Sequence, residues 1–252
     1  MGEGIMAVQN NNGIPYYLQL AEYLVEKIKS GEFAAGDKIP SENELSRQFC
    51  VNRHTVRQAI NKVTSMGWLK TVKGKGSYVK VKPPVIYYNI SEQTCFTNNM
   101  DRIGKRHSSL LIEWEKVNPT EKEAEVLHME PTKKVYRLEI LRCVEGNPFS
   151  LTTTVLVEKV VPQLEQYLND FCSLYAILEN HYHFKPVRLC SNFQACHPTI
   201  NDCTYLQIPD SVPVLKIESL MYHPNGYPVE YGVTRIRGDI NQCSIEFKGV
   251  IK

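Results

Sequence analysis

Apolar residues near the start of the chain recur with a helical period. Tyr17, Leu20, Ala21, Leu24, Val25 and Ile28 fall at i, i+3, i+4, i+7, i+8 and i+11, a stripe that predicts an amphipathic helix, and Gly31 follows as its stop. Beyond a turn at Gly36 and Asp37, Ser41 stands three residues before Glu44. At that spacing hydroxyl and carboxylate satisfy each other's backbone amides, so a short second helix begins there with Leu45 and Phe49 inward. Asn52 is placed to cap a third helix that buries Val56, Ala59, Ile60 and Val63 and ends at Gly67. Two short alternating runs, 68–72 and 77–81, are joined by Lys73-Gly74-Lys75-Gly76 and predict a β-hairpin with a basic, glycine-rich tip. Three helices and a hairpin over 14–81 make a winged helix-turn-helix.

Lys82-Pro83-Pro84 breaks both helix and ladder, because neither proline has an amide hydrogen to donate. It predicts a linker over 82–90 and a second domain over 91–250. There, strand-like runs (110–117, 135–144, 151–157, 187–197, 214–222, 233–237) mix with short helices near 120–128, 162–169 and 173–182. The expected fold class is α+β, built on an antiparallel sheet. An internal repeat supports this: Pro119-Thr120, a short helix, a strand, Gly146-Asn147-Pro148 and another strand recur 79 to 80 residues later as Pro198-Thr199 through Gly226-Tyr227-Pro228. Two similar hairpins imply a pseudo-twofold sheet with a cleft where the halves meet, a place suited to a small ligand.

Composition narrows the class without naming it. The chain has 252 residues, 42% hydrophobic and 22% charged, enough for two separate cores and unlike a fibrous or wholly disordered protein. The segment 1–13 is polar and Asn-rich, and nothing approaches the roughly 18 uninterrupted apolar residues of a membrane span. Eight scattered cysteines with no CxxC fit reduced thiols in a cytoplasmic protein. Cys190, Cys196, His197 and Cys203 have no usual zinc spacing, and no GxSxG, HExxH or GxxxxGK motif occurs, so neither metal nor cofactor nor catalytic group is expected.

Charge changes the picture more. The net +2 divides into +5 for residues 1–82 and −3 for the rest, and residues 45–82 hold nine basic groups and no acid. A block of one sign attracts polyanions, and nucleic acid is the commonest in a cytosol. On the third predicted helix Arg53, Arg57 and Asn61 are spaced by four, with His54 and Gln58 alongside. Arg forks to guanine, Asn and Gln to adenine, and a helix of this width fits the major groove.

The run from Asp37 to Ser46 (DKIPSENELS), the run from Val51 to Ala59 (VNRHTVRQA), Gly67-Trp68-Leu69 and Gly74-Lys75-Gly76-Ser77 together resemble the DNA-binding domain of the GntR family of bacterial transcription regulators. The resemblance implies that Ser41, Glu42, Asn43, Asn52, Arg53, His54, Thr55 and Arg57 form the DNA face. Arg53 and Arg57 would read bases, Asn52 and Thr55 would hold phosphates or bases, and Lys73, Gly74 and Lys75 would form the wing, the first two entering the minor groove. Asn43 departs from the family's usual Arg.

Residues 91–248 resemble the effector-binding domain of the family's HutC branch, which has a chorismate-lyase-like fold, and most closely regulators of phosphonate utilisation. The resemblance rests on Phe96-Thr97, Arg142 before Gly146-Asn147-Pro148, Ser173-Leu174-Tyr175 and the run from Gly226 to Tyr231. It implies an anionic effector met by Phe96, Thr97 and Arg142, with Ser173 and Tyr175 adding hydroxyls and Glu230 and Thr234 at the other end. Thr152 stands where sugar-phosphate binders often carry Glu and Ile140 where they often carry a second Arg, which argues against a sugar phosphate. Other readings stay open: Arg142 paired with Glu139 or Glu218, Glu230 paired with Arg235 or Arg237, Phe96 and Tyr175 as core, and Arg106 as a ligand group. The expected protein is a homodimeric repressor of a palindromic double-stranded operator, answering to a small anionic metabolite such as a phosphonate or phosphate ester. The alternatives are a response to a sugar phosphate or carboxylate, or an enzyme with a chorismate-lyase-like domain.

Overall fold

The structure is a computed structural model that describes residues 13–81, 85–92 and 95–245. The chain divides into two compact units, the first holding the described residues up to 81 together with 209–212 and the second holding the other described residues.

The first unit has helices α1 (Tyr16–Lys29), α2 (Glu42–Gln48) and α3 (Arg53–Ser65), then strands β1 (Leu69–Val72) and β2 (Gly76–Val79). The stripe of α1 is inward, with Leu20, Ala21, Leu24 and Val25 buried and Tyr17 and Ile28 packed partly buried against the same core. Leu45 and Phe49 from α2 and Val56, Ala59, Ile60 and Val63 from α3 complete that core. Ser41 and Glu44 form a reciprocal capping box, and the Asn52 side chain accepts from the Thr55 amide at the head of α3. β1 and β2 pair antiparallel from Leu69↔Val79 to Val72↔Gly76. Gly74, at φ +75°, supplies the left-handed residue of the intervening turn.

The second unit is built on a six-stranded antiparallel sheet, in the order β4-β5-β6-β9-β8-β7. Its strands are β4 (His107–Val117), β5 (Val135–Val144), β6 (Asn147–Val157), β7 (Val187–Cys196), β8 (Val214–Tyr222) and β9 (Pro228–Arg237). The repeat is visible in this order. β4, helix α5 (Glu121–Val126), β5 and β6 form one half; β7, helix α7 (Ile200–Leu206), β8 and β9 form the other. The halves meet where β6 pairs with β9, around Thr153↔Val233. Both repeat helices start with a capping box, Thr120 with Glu123 and Thr199 with Asp202. Against one face of the sheet, Tyr136, Leu138, Ile140 and Leu156 pack on helix α6 (Leu174–Tyr182) and on Leu164 and Leu168 around the short 3-10 turn Leu164–Tyr167. Helix α4 (Phe96–Arg102) packs through Phe96 and Met100 against Phe149, Ile217 and Ile236.

One segment differs from the sequence expectation. Residues 86–89, assigned above to the linker, form strand β3 (Ile86–Asn89), which pairs in parallel with β10 (Asn241–Ser244). Ile86, Tyr88 and Ile90 are buried with Phe96, Phe149 and Ile240. The ladder joins segments about 155 residues apart, so no local pattern announces it. Phe96 and Thr97 are the first two residues of α4.

Candidate functional site

The first unit presents a basic surface along α3 and the hairpin tip. His54, Arg53 and Arg57 are exposed, as are Asn43, Asn52, Lys73, Gly74 and Lys75. Glu42, the first residue of α2, organises the two arginines. Its Oε1 accepts from Arg57 Nε at 3.1 Å and its Oε2 from Arg57 Nη2 at 3.0 Å, with Arg53 Nη2 at 3.5 Å from the same oxygen. The Arg57 fork lowers the Glu42 carboxyl below its ordinary range against the opposing effect of burial, and Glu42 in turn raises Arg57. Asn52 and Thr55 have local duties beside any contact with DNA. Asn52 Oδ1 accepts from the Thr55 amide at 2.8 Å and the Thr55 hydroxyl at 3.1 Å, which leaves the Asn52 amide group facing outward work. Ser41 is similar, its Oγ accepting from the Glu44 amide at 3.3 Å.

In the second unit all eight residues singled out for an effector line one cavity of about 70 Å³. One water needs roughly 10–15 Å³ on this measure, so the space suits a small polar molecule. Alternation along the strands explains the convergence. Leu138 and Ile140 face α6, so Arg142 faces the same way one step further along β5. Thr152 lies opposite Thr234 across the β6–β9 ladder. Arg142 Nη1 donates to Thr152 Oγ1 at 2.9 Å, that oxygen is 3.1 Å from Thr234 Oγ1, and the guanidinium carbon lies 5.4 Å from the centroid of the Phe96 ring. Thr97 enters from α4, while Ser173 caps α6 by accepting from the Ala176 amide at 3.4 Å and has a hydroxyl proton left to give.

The alternative pairings are resolved. Glu139 is bound by Arg235 at 2.7 Å, and Glu218 by Lys216 and Lys122. Arg142 therefore has no ion pair among the described residues. Arg235 is further engaged by Asp202 at 2.7 Å and Arg237 by Asp239 at 2.8 Å, so neither pairs with Glu230. Arg106 is outside the cavity, bonded to Glu145 at 2.8 Å with its side chain 89% exposed.

Glu230 is the acid of the cavity, 5% exposed, and its Oε2 has no hydrogen-bond partner. Burial pushes its carboxyl up, while the Tyr175 hydroxyl, Arg142 and Arg188 pull the other way. Burial, reinforced by Glu230, drives the Tyr175 phenol well above its ordinary value.

Sequence reasoning missed Arg188 on β7, a second guanidinium in the lining, together with Tyr88, Ser109, Thr154 and Ser219. A signal for Arg188 existed: it is the single formal charge between Lys185 and Asp202, in a strand otherwise free of them. The four residues set aside as a zinc site do not come together, and the described residues contain no group of three or more potential ligands.

Residues 16–79 match the bacterial regulatory proteins of the gntR family, and residues 102–241, more than half of the chain, match the UTRA domain. The chain belongs to the GntR family and carries a UTRA domain. It is 27% identical to the HTH-type transcriptional repressor NagR of Bacillus subtilis (strain 168) over 93% of this chain and 95% of that one. It is 25% identical to the HTH-type transcriptional regulator GgaR of Escherichia coli (strain K12) over 95% and 93%. The crystal structure of PhnF from Mycobacterium smegmatis has the same fold, with a TM-score of 0.62 at 22% identity over 91% of this chain and 99% of that one. This GntR/UTRA protein is a transcription regulator rather than an enzyme, and none of its described helices is long and apolar enough to cross a membrane.

Proposed function

We propose that the chain acts as a homodimeric repressor whose second unit binds a small anionic effector, a phosphonate or phosphate ester, and thereby alters operator binding. The observation that carries the effector reading is the convergence of Phe96, Thr97, Arg142, Ser173, Glu230 and Thr234 on one cavity in which Arg142 has no carboxylate partner. A half-buried guanidinium bonded to a neutral threonine retains charge and free N–H groups for an oxyanion. On the DNA side, the basic surface of α3 and the wing suits a major-groove helix flanked by phosphate contacts. A twofold dimer on a palindrome doubles both. The repressor reading draws on the likeness to NagR, named a repressor. The effector shifts the balance between DNA-competent and DNA-incompetent dimers, which requires it to bind one of them better.

Arg142→Gln removes the charge and keeps much of the side chain's length. The expected variant folds, binds operator as the wild type does and no longer releases or tightens it when anionic metabolites are added, as read by fluorescence anisotropy of labelled operator. A variant with an intact response and a lowered melting temperature makes Arg142 structural and sinks the reading.

A further inference from the structure

Two irregularities in the large sheet each fall beside an arginine. One register shift lies opposite Arg142, where the partner strand β6 carries the extra residue Phe149, and the other lies beside Arg188, where β7 itself carries the extra residue Leu189. A bulge sharpens the local twist and bends the strand that carries it, so the ladder beside Arg142 and the strand of Arg188 are both distorted, and both side chains line the same cavity. The strands belong to opposite halves of the repeat, with β5 next to one edge of the sheet and β7 at the other. The two guanidiniums thus come from different directions.

Each is anchored at one nitrogen and has others to offer. Arg142 Nη1 donates to Thr152, Arg188 Nη1 donates to the Ser91 carbonyl at 2.9 Å, and the buried Nε of Arg188 has no partner. Neither has an ion pair among the described residues, and Glu139 and Glu218, on the other face of the sheet, are bound by Arg235, Lys122 and Lys216. Among the lining residues the acid that faces them is Glu230.

We propose that Arg188 is the second cationic arm of this cavity and that the two guanidiniums together select a tetrahedral dianion, a phosphoryl or phosphonyl group, over a planar carboxylate. The inference rests on the reading of the cavity as an anion site. A carboxylate has one charge and two coplanar oxygens, which a single guanidinium fork satisfies. A tetrahedral group presents three terminal oxygens in different directions and a second charge, and so meets two forks that arrive from different sides. Glu230 adds to the selection. Burial already favours its protonated form, and an incoming dianion favours it further, leaving two cations for two negative charges and an acid proton for Oε2 to donate.

The test is calorimetric titration of the full-length protein with sulfate, methylphosphonate and acetate at constant ionic strength, for the wild type, Arg188→Gln and Arg142→Gln. Anion binding to the basic face of the first unit is common to all three and subtracts out. The wild type is expected to bind the two tetrahedral anions about tenfold or more tighter than acetate. Arg188→Gln is expected to weaken those two about tenfold or more, with acetate changed less than about threefold, because a charge-assisted hydrogen bond is worth about 1.5–3 kcal/mol. A merely structural Arg188 lowers all three affinities alike, and an unchanged sulfate-to-acetate ratio in a folded Arg188→Gln overturns the proposal. Should Gln not fold at that position, Arg188→Lys keeps the charge without the fork; methylphosphonate then weakens about threefold or more with acetate unchanged, and a wild-type ratio overturns the proposal. Wild-type titrations that Arg142→Gln leaves untouched defeat the anion-site reading itself, whereas an effect of Arg142→Gln without one of Arg188→Gln defeats only this inference.

Discussion

Glu42 makes the arginines of α3 more than a charged surface. A long guanidinium side chain loses about 2 kcal/mol of rotamer entropy when it is fixed on a base, and a carboxylate that already holds Arg57 through two bonds at 3.0 and 3.1 Å has imposed part of that order beforehand. The acid also opposes the approach of phosphates, so it favours sequence-specific contact over indiscriminate binding. Arg57→Ala is expected to cost about 1–3 kcal/mol on the specific operator and much less on random DNA. Glu42→Gln is expected to tighten random DNA while narrowing the ratio of specific to random affinity. Electrophoretic or anisotropy titrations on both DNAs check this, and equal losses for Arg57→Ala on the two make it a phosphate contact.

At the scale of elements, the wing and the repeat helices show how local chemistry sets positions that function uses. The hairpin tip exposes Lys73, Gly74 and Lys75, and Gly74 closes the turn at φ +75°, a left-handed conformation that glycine adopts without strain. If the wing binds DNA as proposed, cations there meet phosphate, so Lys75→Ala is expected to weaken all DNA sequences by a similar factor and to reduce the slope of log affinity against log salt by about 1. An unchanged slope removes the wing tip from the interface. In the second unit, Asp202 has two duties, closing the cap of α7 with Thr199 and binding Arg235, which itself reaches across to Glu139. That network lies on the face of the sheet opposite the cavity, so its acids are turned away from Arg142.

For the molecule as a whole, these ion pairs predict how stability depends on pH. The Lys216 and Lys122 ammonium groups lower the Glu218 carboxyl to about 2. Glu42 is lowered by Arg57, and Glu123 is lowered by Arg137 and the Thr120 cap despite its burial. Depressed carboxylates stabilise the fold fully above the ordinary carboxylate value of about 4.5 and lose that contribution as pH falls through their folded-state values. Glu230 has the opposite sign, since its raised value penalises the folded state as pH rises and relaxes as pH falls. Circular dichroism of the full chain is therefore expected to show melting temperatures nearly level from pH 7 to about 5 and falling steeply between about 4.5 and 2. A protein equally stable at pH 2.5 and pH 7 would falsify the assignment of these carboxylates to stabilising pairs. Glu230→Gln is expected to raise the melting temperature at pH 7 by about 2–4 °C, which corresponds to roughly 1 kcal/mol for a chain of this size.

By itself the sequence determined what depends on neighbours along the chain. Helical periodicity placed the buried faces of α1 and α3, because residues three and four apart share a face whatever else surrounds them. The Ser41/Glu44 and Asn52/Thr55 spacings marked helix starts, because a cap is satisfied within one turn. The 79-to-80-residue repeat, read from turns and alternation, foretold the paired halves that meet at β6 and β9. Tertiary structure alone decided which charges cancel. Alternation turns Glu139 and Glu218 away from the face of Arg142, and the register of the sheet with the placing of α5 and α7 gives them Arg235, Lys216 and Lys122 as partners. The β3–β10 ladder and the arrival of Arg188 in the cavity are of the same kind. Both join residues far apart in sequence, through backbone hydrogen bonds and bulges that any short strand can form, so the partner exists only once the sheet has closed around it.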